Sequence, residues 1–395
     1  MSVKWSREES VLLDLLRAVT GKENRINPDA DCDWEQLLKL AESHAVTAML
    51  YDTVESLDLQ ITERIKKTAQ TTVLANYRLL FLTSYLTKYL EAYGIVAVTL
   101  KGAVTAALYP VPEYRKSGDV DLLIPVAADY ERALVLLQQA GFLVDKEQLA
   151  LHHTDLRNTE GISVELHNTL TEPFENKNIN HYLIKMLPEY AKHTVENTDW
   201  GVRLVQPSDA YHAFYLVVHM LQHFLREGFG LKNLCDWTLF WNREVAAVEK
   251  ERFQKLTERS GTGQFVRILT AACVRELGLS PDKVSFLLTE PVRDETVTAF
   301  MQEVLQAGEF GRAETDRMVA MRRTGFMAYA KEFHHQMHLN FPGIGRVFVF
   351  WPLLWALTLI RFLHNNRRLG RASVYNIVKK AAKRSELIEQ MRLFR

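Results

Sequence analysis

The sequence predicts an α/β (α+β) fold, a small mixed β-sheet core set between predominantly helical N- and C-terminal parts. Three observations carry this. Apolar residues recur at helical spacing before Gly94 and again after Ser208. Short β-branched or alternating runs cluster between them. At 395 residues, the chain also exceeds the length at which one hydrophobic core usually stops growing. The expected regions are 1–94 (helical), 95–206 (the α/β core), 207–300 (helical, on the substrate side) and 301–395 (helical, with a basic tail).

Asp33 and Gln36 form a capping-box-like start for a helix. Its stripe of Trp34, Leu37, Leu38, Ala41, Ala45, Ala48 and Met49 reads as one apolar face. A second long helix is expected from about Glu63 to Tyr93, stopped by Gly94. Ile95 to Leu100 is a strand candidate, Ala103 to Leu108 a short helix, Val120 to Ile124 a strand, and Ala128 to Ala140 a helix ended by Gly141. Strands at about Leu149–Arg157 and Ile162–His167 flank Asn158 to Gly161, a turn-forming loop. Val202 to Val205 is one further strand candidate, and everything after Ser208 reads as helix.

Lys plus Arg and Asp plus Glu both number 48, so there is no global pull toward nucleic acid or membrane. Cys32, Cys235 and Cys273 are far apart and form no CxxC pair. That pattern argues against a disulfide framework or a cysteine zinc site and fits a reducing, cytoplasmic setting. The polar start of the chain does not read as a signal peptide. The longest apolar run, Val347 to Ile360, is broken by Pro352 and falls short of the roughly 20 residues a spanning helix needs.

The chemistry is concentrated from Leu100 to Leu123. In a strand, residues i and i+2 share a face, so Asp119 and Asp121 project side by side, about 7 Å apart at Cα. Val120, Leu122 and Ile124 face the opposite way. Adjacent carboxylates repel unless a cation lies between them, and hard oxygen ligands suit Mg²⁺, or Mn²⁺. Glu165 shares a face with His167 on a later strand and supplies a third carboxylate. Three such carboxylates can hold two ions about 4 Å apart, the clamp used for in-line phosphoryl displacement. Gly102 stands where strand gives way to helix and would let a phosphate approach the backbone. Lys101 and Arg115 are candidate triphosphate contacts.

The order Leu100-Lys101-Gly102-Ala103, Tyr109-Pro110, Arg115, Asp119-Val120-Asp121-Leu122-Leu123 resembles a bacterial family of largely uncharacterised nucleotidyltransferases in the DNA polymerase β-like superfamily. The resemblance runs over roughly residues 8 to 240. Asp33-Trp34-Glu35 to Leu50 resembles the family's N-terminal helix, Val164-Glu165-Leu166-His167 its acidic strand, and Val205 to Asp236 its later helices with spaced histidines. It implies metal binding by Asp119, Asp121 and Glu165, a phosphate turn at Gly102, and transfer of NMP from an NTP such as ATP to an acceptor hydroxyl with release of pyrophosphate. The superfamily's usual Gly-Ser at the turn is Gly102-Ala103 here, which shifts weight onto backbone amides, Lys101 and Arg115. Two other readings stand beside it. One is a toxin-like enzyme acting on RNA ends, and the other a non-catalytic, membrane- or partner-associated protein that kept the fold.

The histidines are candidates for substrate contact. If the hairpin loop is Asn158 to Gly161, His152 opposes His167 and Thr154 opposes Glu165, while a one-residue slip would substitute His153. His219 and His223 lie at i and i+4 with His212 and Arg226 on the same side, but no Glu supplies a zinc-protease pattern. A pocket-lining or hydrogen-bonding role is expected for His223, together with Asp236. His334, His335 and His338 read as a solvated face. From Arg361 to Arg395 there are ten Lys/Arg against two Glu. With the apolar run before it, this tail is either a peripheral anchor to an anionic membrane surface or a cationic helix packed on the domain.

Overall fold

The computed structural model describes residues 5–21, 31–57, 59–145, 152–309, 348–368 and 386–393, with His334, Met337 and Phe341. The N-terminal part is helical: α1 (Arg7–Thr20), α2 (Trp34–Ser43), α3 (Tyr51–Ser56) and the 31-residue α4 (Thr62–Ala92). Ser6 and Glu9 close a capping box on α1, and Asp33 caps α2 by accepting from Gln36 N. The single stripe expected from Trp34 to Met49 is two pieces. α2 ends at Ser43, Ala45 takes φ 56°, and a 3₁₀ turn covers Ala48–Leu50. The break serves a tertiary contact, because buried His44 accepts through Nδ1 from Leu231 N at 3.2 Å.

The core follows as β1 (Val98–Thr99), α5 (Ala103–Ala106), β2 (Asp119–Leu123), α6 (Ala127–Gln139), β3 (Leu143–Val144), β4 (His153–Arg157) and β5 (Ser163–His167). The strands form one mixed sheet in the order β1-β2-β5-β4-β3. β2 and β5 run parallel, with Asp121 beside Glu165, and the other pairs are antiparallel. Val120, Leu122, Ile124, Val164 and Leu166 pack one sheet face against Leu86 and Leu90 of α4 and Ala133 and Leu137 of α6. The carboxylates therefore face the other way.

The hairpin register differs from the expectation by one residue. His153, not His152, stands opposite His167, and Asp155, not Thr154, opposite Glu165. The reason is the turn. Asn158 accepts through Oδ1 from the amides of Glu160 and Ile162, drawing Ile162 into the loop, so five residues rather than four separate the last pair, Arg157 and Ser163. Residues 146–151, where the first strand was expected to begin, lie outside the described residues.

After α7 (Lys177–Lys192), β6 (Thr194–Asn197) and β7 (Leu204–Pro207) make a separate two-stranded sheet. The strand expected at Val202–Val205 therefore pairs with β6, not with the main sheet. The remaining helices are α8 (Asp209–Leu225), α9 (Leu231–Asn242), α10 (Ala247–Ser260), α11 (Gly263–Glu276), α12 (Pro281–Val284), α13 (Asp294–Ala307) and α14 (Trp351–Arg368). Trp237, Phe240 and Trp241 of α9 and Phe214 and Phe224 of α8 are fully buried in the large helical core. Cys32, Cys235 and Cys273 are all buried, and none forms a disulfide among the described residues.

Most of the basic tail lies outside the described residues, as do His335 and His338. Leu387 and Met391 are buried in the helical core, and Gln390 accepts from Thr296 of α13 at 2.8 Å, so this end of the chain is packed. On α14, Leu353, Leu357 and Ile360 are exposed. No helix among the described residues is long and apolar enough to cross a membrane.

One buried ion pair joins sheet and helices. Arg115, just before β2, donates from Nε and Nη2 to the two oxygens of Asp236 on α9, both at 2.7 Å. Tyr109 OH adds a 2.6 Å bond to the same carboxylate. Asn76 of α4 holds the loop by donating to the carbonyls of Glu113 and Arg115. Breaking a buried pair leaves an uncompensated charge. Asp236→Ala is expected to lower unfolding stability by about 3–5 kcal/mol. The double variant Arg115→Met/Asp236→Leu should recover part of that loss in chemical denaturation.

Candidate active site

The exposed end of β2 brings Asp119 to the lip of a cavity of about 440 Å³, while Asp121, two residues further along the same face, is fully buried. Asp121 Oδ1 lies 3.1 Å from Lys101 Nζ and 3.2 Å from His167 Nε2. The same His167 nitrogen is 3.2 Å from Glu165 Oε2. Asp121 Oδ2 is buried with no hydrogen-bond partner among the described residues. Asp119, Asp121, Glu165, Lys101 and His167 thus converge at one end of the cavity.

Their charges are interdependent. Burial works against the Lys101 ammonium, but Asp119 and Asp121, with smaller contributions from Tyr215 and Glu165, hold its pKa well above the ordinary lysine value. Burial likewise opposes the His167 imidazolium, yet its hydrogen bonds to Asp121 and Glu165 raise it from 6.5 to about 9. Burial would raise Glu165, but His167 and Lys101 prevail and lower it. Two internal cations, Lys101 and His167, therefore stand among the carboxylates and offset part of their charge.

Gly102 sits at the sheet edge with φ 66°, a conformation that favours glycine. A Cβ there would meet Asp119 O at 3.5 Å. The helix it opens, α5, has four residues, so its dipole adds little and any phosphate held here would depend on amides and nearby side chains.

Arg115 lines the cavity, but its fork is engaged by Asp236, and Nη1 lies 3.2 Å from Ser117 Oγ. Two further cations that line the cavity were missed by the sequence reading. Lys116 follows Arg115, and Lys232 comes from α9. Glu309 bridges them, 3.1 Å from Lys116 Nζ and in contact with Lys232 Nζ. Burial and the neighbouring Arg115 lower the Lys232 pKa against the pull of Glu309. Glu309 follows Gly308, whose φ is 68° and whose hypothetical Cβ would lie 2.7 Å from Ser43 O.

The histidines divide into two groups. His152, His153 and His167 form a cluster with ring centroids 4.2 to 5.6 Å apart. Burial, then His153 and His167, pushes His152 down to about 3. His219 and His223 line the same cavity. His223 Nδ1 is 2.7 Å from Glu227, not bonded to Asp236, whose carboxylate serves Arg115 and Tyr109. His212 is buried away from them, 3.4 Å from Thr105 Oγ1.

The His167 geometry sets a pH dependence. Its folded pKa, about 9, lies above 6.5, so the stability it contributes is complete below 6.5 and is lost as pH rises through about 9. In metal-free protein the thermal midpoint should fall across this window. His167→Gln should flatten the slope, and an unchanged slope in that variant would remove His167 as its source.

No curated protein matches the chain. Among solved structures, an antigenic nucleotidyltransferase-like protein from Paracoccidioides brasiliensis is 18% identical, with 55% of this chain and 95% of that chain covered and a TM-score of 0.33. A family described as uncharacterised nucleotidyltransferase matches residues 30–278, a span that includes both strands of the acidic site and most of the cavity wall. The chain belongs to this nucleotidyltransferase family.

Proposed function

We propose that the protein transfers a nucleoside monophosphate from an NTP to an acceptor hydroxyl and releases pyrophosphate. The observation that carries this reading is the parallel pairing of β2 with β5, which sets Asp121 beside Glu165 on the cavity-facing side of the sheet. The buried, unpartnered Asp121 Oδ2 and the all-oxygen donors of Asp119, Asp121 and Glu165 suit Mg²⁺ or Mn²⁺. Bound there, such ions would lower the acceptor hydroxyl's pKa and neutralise the leaving phosphates.

The chain's own groups divide the remaining work. Lys101 holds the Asp119–Asp121 end and faces the incoming phosphates. Lys116 and Lys232 offer ammonium groups to the distal phosphates in place of Glu309. Arg115 fixes the wall between them through Asp236. Glu165, held ionised, accepts the hydrogen bond of the acceptor hydroxyl.

Replacing Asp119 or Asp121 by Asn keeps shape and removes charge, so turnover should fall at least about a hundredfold. NTP consumption with Mg²⁺, measured with and without RNA, tests the reaction and its independence of an RNA acceptor. Near-normal turnover in both folded variants would sink the assignment. Glu165→Gln should depress kcat strongly and leave nucleotide affinity within about a few-fold, because it acts mainly in the transition state. Calorimetric titration beside turnover separates the two effects, and loss of nucleotide binding with kcat spared would reverse this role.

A further inference from the structure

The register of the β4–β5 hairpin sets two side chains that nucleotidyl transfer does not use, Asp155 and His153, beside Glu165. Asp155 stands directly opposite Glu165, and His153 lies two residues along β4, on the same face. Directly opposed like charges destabilise a strand pair, yet here two carboxylates face each other with side chains only 9% and 22% exposed. His153 Nε2 lies 3.3 Å from Asp155 Oδ2, and its Nδ1 4.0 Å from Glu165 Oε2. One ligand atom from each of the three side chains falls within 4.8 Å of the others.

We propose that His153, Asp155 and Glu165 form a second metal site, for a borderline divalent transition ion such as Zn²⁺, which shares Glu165 with the Asp119–Asp121 pair. Three features of the geometry support it. First, donors about 2.0–2.2 Å from a tetrahedral ion lie about 3.4 Å apart, close to the His153–Asp155 separation. Second, the donor set combines imidazole with carboxylate, which suits Zn²⁺ better than Mg²⁺. Third, His153 Nδ1 is 2.8 Å from His152 Nε2. A hydrogen bond donated from Nδ1 orients the ring and leaves Nε2 as the ligand, the usual outer support of a metal-binding histidine. His153 and Glu165 both line the cavity, so an open fourth position would face it.

The test uses full-length, metal-free protein without nucleotide, so it reads this site and not turnover. Calorimetric titration with Zn²⁺ should show one strong equivalent. His153→Ala and Asp155→Asn should each weaken it at least about tenfold, the scale on which metal sites respond to loss of a supporting group. Asp119→Asn should change it less than about threefold. The protein loaded with Co²⁺ should show a hyperfine-shifted, exchangeable imidazole N–H, a readout that needs no variant to fold. Absence of strong binding, equal affinity in folded His153→Ala, or an equal loss in Asp119→Asn would overturn the proposal. So would a Co²⁺ spectrum without an imidazole signal. Loss of turnover in Asp119→Asn with Zn²⁺ binding retained would separate the two metal assignments.

Discussion

Carboxylates gathered on one face of a sheet, out of bulk water, repel each other unless cations stand among them, and the architecture around this cavity follows from that constraint. Asp119, Asp121, Glu165 and Asp155 come from three neighbouring strands. Lys101 approaches from the end of β1, and His167 from the same strand as Glu165, in contact with two of the carboxylates through one nitrogen. Without these two cations, folding the sheet would bury unpaired charge. With them, two countercharges stand among the four carboxylates, and part of the repulsion is offset.

The other half of the cavity has the opposite arrangement. Lys116 and Lys232 would repel each other across a narrow gap, and Glu309 lies between them. Glu309 is fixed by its own backbone, whose amide donates to Ser43 O at 2.7 Å. The cationic end thus depends on contacts among the N-terminal helices, α9 and the segment after α13. The acidic end depends on the sheet. Arg115 and Asp236 tie these two parts together, and their pairing explains why the loop before β2 belongs to the site even though its arginine is not free to bind an anion.

Much of the acidic end was legible because strand geometry is local. Asp119 and Asp121 share a face through period-two alternation, and Glu165 is read the same way from Ile162 to His167. The hairpin register was not legible, since it turned on whether Ile162 entered the loop, and that choice is made by the Asn158 side chain. A shift of one residue exchanged Thr154 for Asp155 opposite Glu165 and so altered the chemistry of the site. The basic end was invisible for a different reason. Lys116, Lys232 and Glu309 are brought together by packing across distant segments, and nothing in their sequence neighbourhoods distinguishes them from surface charges. The break at His44 belongs with these. Helical periodicity continues through it, where Ala45 takes positive φ and the His44 ring accepts a bond from the start of α9.

Under the proposed reaction these two halves form one device. An NTP carrying its metal ions brings positive charge to the carboxylates and negative charge to the lysines, matching each end of the cavity. Such a ligand would compete with internal partners at both ends: His167 at the sheet, Glu309 beside the helices. Those partners stabilise the free protein, so each displacement subtracts from the gross affinity of the nucleotide. The same displacement confers discrimination. An uncomplexed phosphate could satisfy Lys116 and Lys232, but it would leave the carboxylate end with its internal cations. A free divalent ion could enter among the carboxylates, but it would leave Glu309 in place. On this reading, only a ligand with both charges at the right separation would engage both ends, which would tie recognition of the nucleotide to the groups proposed to act on it.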